Sequence, residues 1–316
     1  DPSGGDFLSF TEARDSLAFY GVSGPVIFDV AAGTYNEQVQ FPAISGSSSD
    51  YKILFRSASG DSTDVVMTYS PSLAAANYTL GLSGSRFVRF SNMTFESTGP
   101  FYSTVIDLRN NTGDLTFDHC QIIGPVSVVD SMRQNLVEFP YATAVSNTTF
   151  RSNYFLHGSR ALACDDGSNA GVFNFTDTID NNFFIEQFMS AILLGNQFNL
   201  VISNNYITST APASLAIHLV SANGAHATIS GNTIMLNTLN GAVGIDLHGS
   251  SAYISNNMIS ATSATYFAQG IGVSINYGTQ ILNNTIYATG PSAWSSDVYY
   301  EQNPVNHTLL NNILVC

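Results

Sequence analysis

The chain has few cationic residues, and its second half has none. Nine lysines and arginines stand against 23 aspartates and glutamates in 316 residues, and the last cation is Arg160. Clustered cations are what neutralise phosphates, so this composition predicts no nucleic-acid binding. Anionic membrane surfaces are disfavoured for the same reason. So are polyanionic polysaccharides such as pectate or alginate, unless Ca²⁺ bridges the charges.

Charged residues, cysteines and long apolar runs are also scarce, and each scarcity restricts the classes of protein that the sequence allows. Charged residues make up 10% of the chain, against roughly 25% in typical soluble domains. Asn, Ser, Thr and Gly supply the polarity instead, which favours an extracellular protein, secreted or held at a cell surface. The three cysteines, Cys120, Cys164 and Cys316, have no zinc-type spacing, and their disulfide state stays open. No apolar run reaches the roughly 18 residues that span a bilayer, so no membrane insertion is predicted.

A short motif containing asparagine returns along the chain. It reads ISNNYI at 202–207, ISGNTI at 229–234, ISNNMI at 254–259 and ILNNTI at 281–286. Nine copies, some degenerate, recur about every 27 residues, and their first apolar residues are 90, 117, 150, 179, 202, 229, 254, 281 and 309. A second strand-like segment, bounded by Gly, Ser and Asn, follows each motif after about 15 residues. Short strands at this period, with no helices between them, match a parallel β-helix rather than leucine-rich or WD40 repeats.

Asparagines at one repeated position are expected to stack as a ladder. Equivalent residues on successive rungs lie about 4.8 Å apart, so each side-chain amide can donate to the next carbonyl oxygen. Asn also tolerates the left-handed backbone conformation that a sharp corner requires. We interpret these asparagines as structural rather than functional, and the predicted ladder consists of Asn182, Asn205, Asn232, Asn257, Asn284 and Asn312.

The chain resembles right-handed parallel β-helix repeat proteins of the pectate-lyase-like superfamily, of the secreted bacterial surface-protein type. The resemblance rests on the repeat and on the entry segment, in which a short helix and a strand precede GTYNEQV at 33–39. It covers essentially the whole chain. It implies the fold much more specifically than the function, because one fold hosts many activities.

We therefore predict an all-β fold, a right-handed parallel β-helix (solenoid) of roughly nine or more rungs with a short N-terminal capping helix. Residues 1–25 are assigned to the cap, with Thr11 as helix N-cap and Glu12 in the first turn. Residues 26–316 are assigned to one continuous β-helix domain. Terminal repeats usually need caps, so we expect further sequence beyond 316 or a neighbouring subunit to cover the last rung.

The catalytic motifs of the resembled superfamily are mostly missing. Pectin methylesterases would need an Asp-Phe-x-x-Gly segment, which the chain lacks. Of the polygalacturonase pattern only the Asp-Asp at Asp165 and Asp166 is present, and it is a weak signal alone. Lyases of acidic sugars use Arg or Lys as base or charge neutraliser, a role that residues 161–316 cannot fill.

One cluster of titratable side chains remains a candidate site after the superfamily's catalytic motifs have been excluded. In AIHLV and GIDLHG the strand alternation directs Ile and Leu inward and His218, Asp246 and His248 outward. If the rungs are in register, His218 and Asp246 are neighbours with His248 beside them. Such a cluster can do general acid–base work or hold a metal, so these three are the catalytic candidates if the protein is an enzyme. The alternative interpretation is a set of solvated polar residues on an outer strand face.

The same outward column is predicted to continue in both directions. It is expected to contain Asp107 and Arg109 below, then Asp165, with Tyr299 and Glu301 above. Asp165, Tyr299 and Glu301 are the predicted ligand-binding residues. Acidic residues such as Asp165 are chemically suited to Ca²⁺, but no EF-hand or nonapeptide spacing supports a calcium site. We therefore predict no cofactor and no metal site.

Three functions remain open. The first is an extracellular cell-surface, adhesion or filament-forming structural β-helix that binds glycans or another cell-surface ligand. In this first case we expect the protein to self-associate through the C-terminal rung or through a missing C-terminal extension. The alternative is a carbohydrate-active enzyme, a polysaccharide lyase or glycoside hydrolase acting on a neutral or weakly charged glycan. A second alternative is a phage receptor-binding protein, which trimerisation would distinguish. We rank the non-catalytic function first, because the family motifs are missing.

Overall fold

Three parallel sheets coil around one apolar core, and each turn of the chain adds a strand to each sheet in sequence order. This computed structural model describes residues 5–139, 144–164, 174–220, 226–274, 278–291, 297–302 and 307–316, with only the backbone of Phe175 and 297–302. The predicted all-β parallel solenoid is therefore confirmed.

Sheets A, B and C follow one another in every turn. Sheet A has eleven strands: Val26–Val30, Ile53–Ser57, Val88–Ser91, Thr116–Asp118, Thr149–Arg151, Thr178–Asp180, Leu200–Ser203, His226–Ser230, Ser251–Ser255, Gln280–Leu282 and Thr308–Leu310. Sheet B also has eleven: Gly33–Asn36, Val65–Tyr69, Thr94–Ser97, Gln121–Ile123, Tyr154–Leu156, Phe183–Ile185, Tyr206–Ser209, Thr233–Thr238, Met258–Ser263, Thr285–Thr289 and Ile313–Val315.

Sheet C has the longest strands. Its ten members are Val39–Phe41, Leu80–Ser83, Ile106–Arg109, Asn135–Phe139, Arg160–Cys164, Ser190–Gly195, Ala213–Val220, Gly241–His248, Ala268–Ser274 and Asp297–Gln302. A small fourth sheet pairs Asn174–Phe175 with Gln197–Phe198. Two 3₁₀ helices, Ala74–Ala76 and Met132–Gln134, precede strands of sheet C. The first of the nine motif copies begins in the third strand of sheet A, so the two preceding rungs do not contain the motif.

An α-helix, Phe10–Tyr20, lies within the predicted cap segment and buries Phe10, Ala13 and Leu17. Its N-cap is Ser9, whose side-chain oxygen accepts a hydrogen bond from the backbone N–H of Glu12 at 3.1 Å. The prediction of Thr11 as N-cap is wrong. Thr11 lies inside the first turn, where its hydroxyl donates to Glu37 at 2.7 Å. The helix begins earlier because Ser9, in extended conformation, is the first residue able to cap it.

The core consists of residues that stack in columns along the solenoid. In sheet A the column is aromatic at first, and the rings of Phe55, Phe90, Phe117 and Phe150 stack with centroids 5.2–5.5 Å apart. It then becomes aliphatic, with Ile179 in register with Ile202. Fully burying one such side chain contributes roughly 1.5–3 kcal/mol. The repeated inward position in the motif therefore supplies much of the stability.

The predicted asparagines form a continuous hydrogen-bonded ladder at the corner between sheets A and B. Asn182, for example, donates through its backbone N–H and its Nδ2 to Oδ1 of Asn205, at 2.9 and 3.0 Å. The same pattern links each ladder member to the next as far as Asn312. The ladder also includes Asn153, which the prediction missed, and Cys120 ends it by donating its N–H to Asn153.

The cysteines form no disulfide: Cys120 and Cys164 are buried and Cys316 is exposed. Burial raises the pKa of the Cys120 thiol to about 12, so this thiol stays protonated and is unreactive as a nucleophile. In the described ranges, no helix has the length and apolar character needed to cross a membrane.

Candidate functional site

The outward face of sheet C contains the predicted catalytic residues. In the strands Ala213–Val220 and Gly241–His248 the inward residues Ile217, Leu219, Ile245 and Leu247 are buried. Alternation then leaves the residues between them on the outer face. The core positions therefore set the direction of every potentially functional side chain here.

His218 and Asp246 lie directly opposite each other on adjacent rungs. The Nε2 of His218 is 3.4 Å from Oδ2 of Asp246, and their side chains are 25% and 28% exposed. The structure thus places the pair as the spacing of the repeats predicts. Both groups are shielded but remain reachable from solvent, which suits contact with a ligand.

Burial changes the pKa of both members of this pair. It lowers the pKa of His218, and the charges of His248 and Arg160 act in the same direction, whereas Asp246 opposes them. Burial also raises the pKa of Asp246, opposed by the two histidines. Both shifts favour the neutral forms, since a low-dielectric setting disfavours charge. The pair is therefore suited to hydrogen bonding and to proton exchange.

His248 lies beside the pair rather than within it. It is exposed, and its Nδ1 is 2.8 Å from the Oγ of Ser274 on the next rung. It is two residues after Asp246 on the same strand, so both side chains emerge from the same face. The three predicted catalytic residues consequently share one surface, with His248 at its rim.

Gly272 has no side chain directly above Asp246, and the side chain of Gln269 fills that place. Gly272 is the register partner of Asp246 on the next rung. A Cβ built at Gly272 would lie 1.6 Å from Nε2 of Gln269 and 2.9 Å from Oδ1 of Asp246. The amide of Gln269 therefore occupies the place of a missing side chain, and it adds a polar group to the site.

A second polar cluster lies lower on the same face. Asp107 and Glu138 are register partners on adjacent rungs, and Arg109 makes an ion pair with Asp107. Burial raises the pKa of Asp107, opposed by its hydrogen bond and charge interaction with Arg109. The guanidinium of Arg109 lies 5.9 Å from the ring centroid of Tyr78. Asp107 and Arg109 were predicted from the sequence, whereas Glu138 was not, although the alternation in NLVEF at 135–139 places it outward.

Of the three predicted ligand-binding residues, Tyr299 and Glu301 do not continue this column. Asp165 lies outside the described residues. Tyr299 pairs with Ile271 and Glu301 with Val273, which are inward positions, whereas Tyr300 pairs with Gly272 above Asp246. The predicted column is therefore wrong by one residue at the last rung. The segment DVYYEQN has tyrosines in both phases, so alternation alone does not decide its register.

No group of three or more His, Cys, Asp or Glu residues is placed to hold a metal ion within the described part of the chain. The site as described offers acid–base groups, amides and apolar surface.

Comparison with solved structures supports the same architecture. A mutant of DFA-IIIase from Arthrobacter chlorophenolicus A6 superposes with a TM-score of 0.55 at 9% identity, covering 90% of this chain and 81% of that one. PfbA, a surface adhesin of Streptococcus pneumoniae, gives 0.53 at 11% identity, with 96% and 88% covered. A lacto-N-biosidase from Eubacterium ramulus gives 0.55 at 8% identity, with 94% and 64% covered. Identities this low establish a shared fold alone.

Comparison at the level of sequence gives the family. No curated protein matches the chain significantly. The family described as "Right handed beta helix region" matches residues 141–313, more than half of the chain. These residues include seven strands of sheet A and the whole asparagine ladder from Asn153 to Asn312. The chain therefore belongs to the right-handed β-helix family.

Proposed function

We propose that this protein is an extracellular β-helix that binds a neutral or weakly charged glycan along the outward face of sheet C. The observation that carries the proposal is the half-buried His218–Asp246 pair, with the amide of Gln269 lying over Gly272 on the next rung. Carbohydrate ligands present hydroxyls and apolar faces together. Ligand sites combine apolar surface with a few well-placed polar groups in the same way.

The outward column of sheet C has this mixed character. In this column Asp107 and Ala163 are buried, whereas Leu193, His218 and Asp246 on three consecutive rungs are half-buried. The half-buried stretch from Leu193 to Asp246 covers two rung spacings of about 4.8 Å, which is about 10 Å. A short segment of a glycan fits a stretch of this length.

An adhesive role ranks first for this protein. The low charge content fits an extracellular surface, and one protein of the same fold, PfbA, is a surface adhesin. The absence of the superfamily's sequence motifs also favours binding without turnover. Extracellular localisation and adhesion are both parts of this proposal.

Glycan binding can be tested on an array of neutral oligosaccharides. Wild type is expected to retain a defined set of glycans, and Asp246→Asn combined with His218→Gln should reduce that binding roughly tenfold or more, since hydrogen bonds at the site are lost. The matched control is Asp180→Asn on sheet A, which removes one carboxylate away from this face. No retained neutral glycan, or equal losses in both variants, would contradict the proposal.

A second candidate function is glycan cleavage by the same site. The opposed directions of the two pKa shifts favour it, because a pair pushed toward its neutral forms can exchange a proton near neutral pH. If the protein is a hydrolase or lyase, Asp246→Asn should abolish product formation while leaving most of the binding. Prolonged incubation of wild type with each bound glycan, followed by mass spectrometry, decides this. Intact glycans would remove the candidate.

A further inference from the structure

The structure gathers several of the scarce cations in a groove on sheet A, on a different face from the sheet C site. This groove has a volume of about 420 Å³. Its lining residues include Lys52, Phe87, Arg89, Thr116, Thr149 and Arg151. They also include Asp114, whose carboxylate makes an ion pair with Arg86. We propose that it binds an anionic saccharide through a sulfate or carboxylate group carried on the sugar ring. This site is independent of the function proposed above.

The register of sheet A explains how the cations meet. Arg89, Thr116 and Thr149 are register partners on three consecutive rungs, so they form one outward column. Arg151 belongs to the neighbouring column, directly above Asp118. The cations are therefore separated by up to 99 positions in sequence, from Lys52 to Arg151, yet line a single groove. The amino-acid composition alone does not show that these distant cations lie close together in the fold.

Three cations, Lys52, Arg89 and Arg151, meet two carboxylates at the groove, those of Asp114 and Asp118, so one positive charge is in excess. Asp118 accepts from Arg151 at 3.1 Å and also pairs with Arg89. Burial acts against its charged form, yet the hydrogen bonds from both arginines hold the pKa of Asp118 below its ordinary value. One carboxylate thus holds two guanidinium groups in place. Lys52 is exposed and makes no ion pair among the described residues.

Several donors in the groove remain free for a ligand. The Nε of Arg89 has no hydrogen-bond partner in the described part of the chain but is itself buried, so the exposed ends of the arginine side chains are the donors that a ligand reaches. Arg89 and Arg151 keep 42% and 49% of their side chains exposed. Arginine presents several donors in a rigid fork that matches carboxylate and sulfate-like oxygens. Thr116 and Thr149 line the same groove, and their hydroxyls can also donate.

Phe87 supplies the aromatic surface that a sugar ring would contact. Its φ is +60°, and among the described residues it is the only Phe, Tyr or Trp in the left-handed region. The bridges joining Arg86, Gly113 and Ser146 make Asp114 and Asn147 its equivalents on the next rungs. These are residue types that tolerate the left-handed conformation, whereas a bulky residue there is strained. Such outliers concentrate at functional sites, and this one lines the groove.

Binding should be measured by calorimetry at about 0.15 M ionic strength. The probes are a sulfated heparin-derived hexasaccharide, a carboxylated hexagalacturonate and neutral maltohexaose, all in EDTA to exclude bridging by calcium. We expect one or both anionic probes to bind and maltohexaose not to bind at this groove. Preference between the two anionic probes identifies the recognised group. Failure of both, or binding that EDTA abolishes, would overturn the proposal.

Variants then locate the bound anion. Lys52→Gln and Arg151→Gln should each weaken the anionic probe roughly tenfold, since each removes one charged donor. Arg56→Gln is the matched control: it removes one cation from the same face, where Arg56 pairs with Asp29 outside the groove. It should change affinity less than about twofold. Equal effects of Arg56→Gln and Arg151→Gln would show non-specific attraction and reject the site.

Phe87→Asn separates a binding role from a structural one. Asn occupies the equivalent position at 147, so this variant should keep or raise the thermal midpoint while weakening the anionic probe at least about threefold. Unchanged affinity would reject contact between Phe87 and the sugar. His218→Gln on sheet C should leave anionic binding unchanged. Failure of the groove is therefore distinguishable from failure of the glycan site proposed above.

Discussion

The Oδ1 of Asn232 accepts two hydrogen bonds from Asn205, one from its backbone N–H at 2.9 Å and one from its Nδ2 at 3.0 Å. Asn205 Nδ2 also donates to the carbonyl of Ile179 at 2.8 Å. Each such asparagine thus donates hydrogen bonds to acceptors on both neighbouring rungs, the one before it and the one after it. Because the chain of bonds is buried, removing one member leaves several polar groups without partners.

Asn205→Ala should therefore destabilise the protein strongly. It leaves the N–H and Nδ2 of Asn182 without their acceptor, and we expect a loss of about 2–5 kcal/mol in the free energy of unfolding. Chemical denaturation measures this loss. The control is Asn204→Gly at the adjacent left-handed corner, where φ is +55° and the equivalent residue one rung on is Gly231. It should change stability by less than about 0.5 kcal/mol. Similar losses for both variants would contradict the ladder as the source of stability.

Asp177 gives the protein a pH-dependent stability. Its Oδ1 accepts from the backbone N–H of Thr148 at 2.8 Å, whereas Oδ2 has no partner among the described residues. Burial raises its pKa to about 8, above the roughly 3.9 of an exposed aspartate. Between these two values the folded state keeps a proton that the unfolded state has released. Stability from this group is thus fully present below about pH 4 and is lost as pH rises through 8.

Asp177→Asn should remove this pH dependence. An amide keeps the acceptor for Thr148 and carries no charge, so at pH 8 the variant should exceed wild type by roughly 2 kcal/mol or more, since each pKa unit corresponds to about 1.36 kcal/mol. Near pH 4 the two should be similar. Urea denaturation at a series of pH values tests this, with Asp180→Asn on the neighbouring strand as control. Parallel pH profiles for wild type and Asp177→Asn would refute the prediction.

The titration of His218 reports on the sheet C site. Asp246→Asn should lower the pKa of His218 further, because the carboxylate that favours the imidazolium is lost. His248→Gln should raise it, because a repelling cation is removed. Both shifts can be followed by NMR titration of the imidazole resonances, with His226→Gln on sheet A as control. Movement of the pKa in the same direction in the first two variants would show that the three residues do not interact as described.

Two glycines in neighbouring strands should respond differently to alanine. At Gly244 a Cβ would lie 2.5 Å from both the carbonyl oxygen of Gly270 and Cγ2 of Ile259. Gly244→Ala should therefore cost about 1–3 kcal/mol by overpacking. At Gly272 the closest atom belongs to the flexible side chain of Gln269, so Gly272→Ala should leave stability nearly unchanged. It should, however, displace Gln269 and weaken the glycan binding proposed for sheet C. Thermal unfolding and glycan affinity measured on both variants separate these effects.

Much of the site on sheet C was predictable from sequence because the repeat period itself sets the register. His218 and Asp246 are 28 positions apart, close to one period, and both follow an isoleucine in an alternating strand. At Tyr299 the predicted phase is wrong, because adjacent tyrosines leave the phase of the strand undetermined. Asn153 is missing from the predicted ladder, because its motif copy FRSNYF begins with an aromatic residue instead of isoleucine.

The sequence by itself determined the solenoid, its asparagine ladder and the His218–Asp246 pairing. A repeated pattern of inward apolar residues and corner asparagines admits only one stacking that buries every apolar position. Only the tertiary structure decided where the cations meet, since Lys52, Arg89 and Arg151 come from separate turns of unequal length. It likewise decided that Asp177 is buried and that Phe87 occupies a left-handed corner. Those properties depend on how successive rungs pack, which periodicity does not encode.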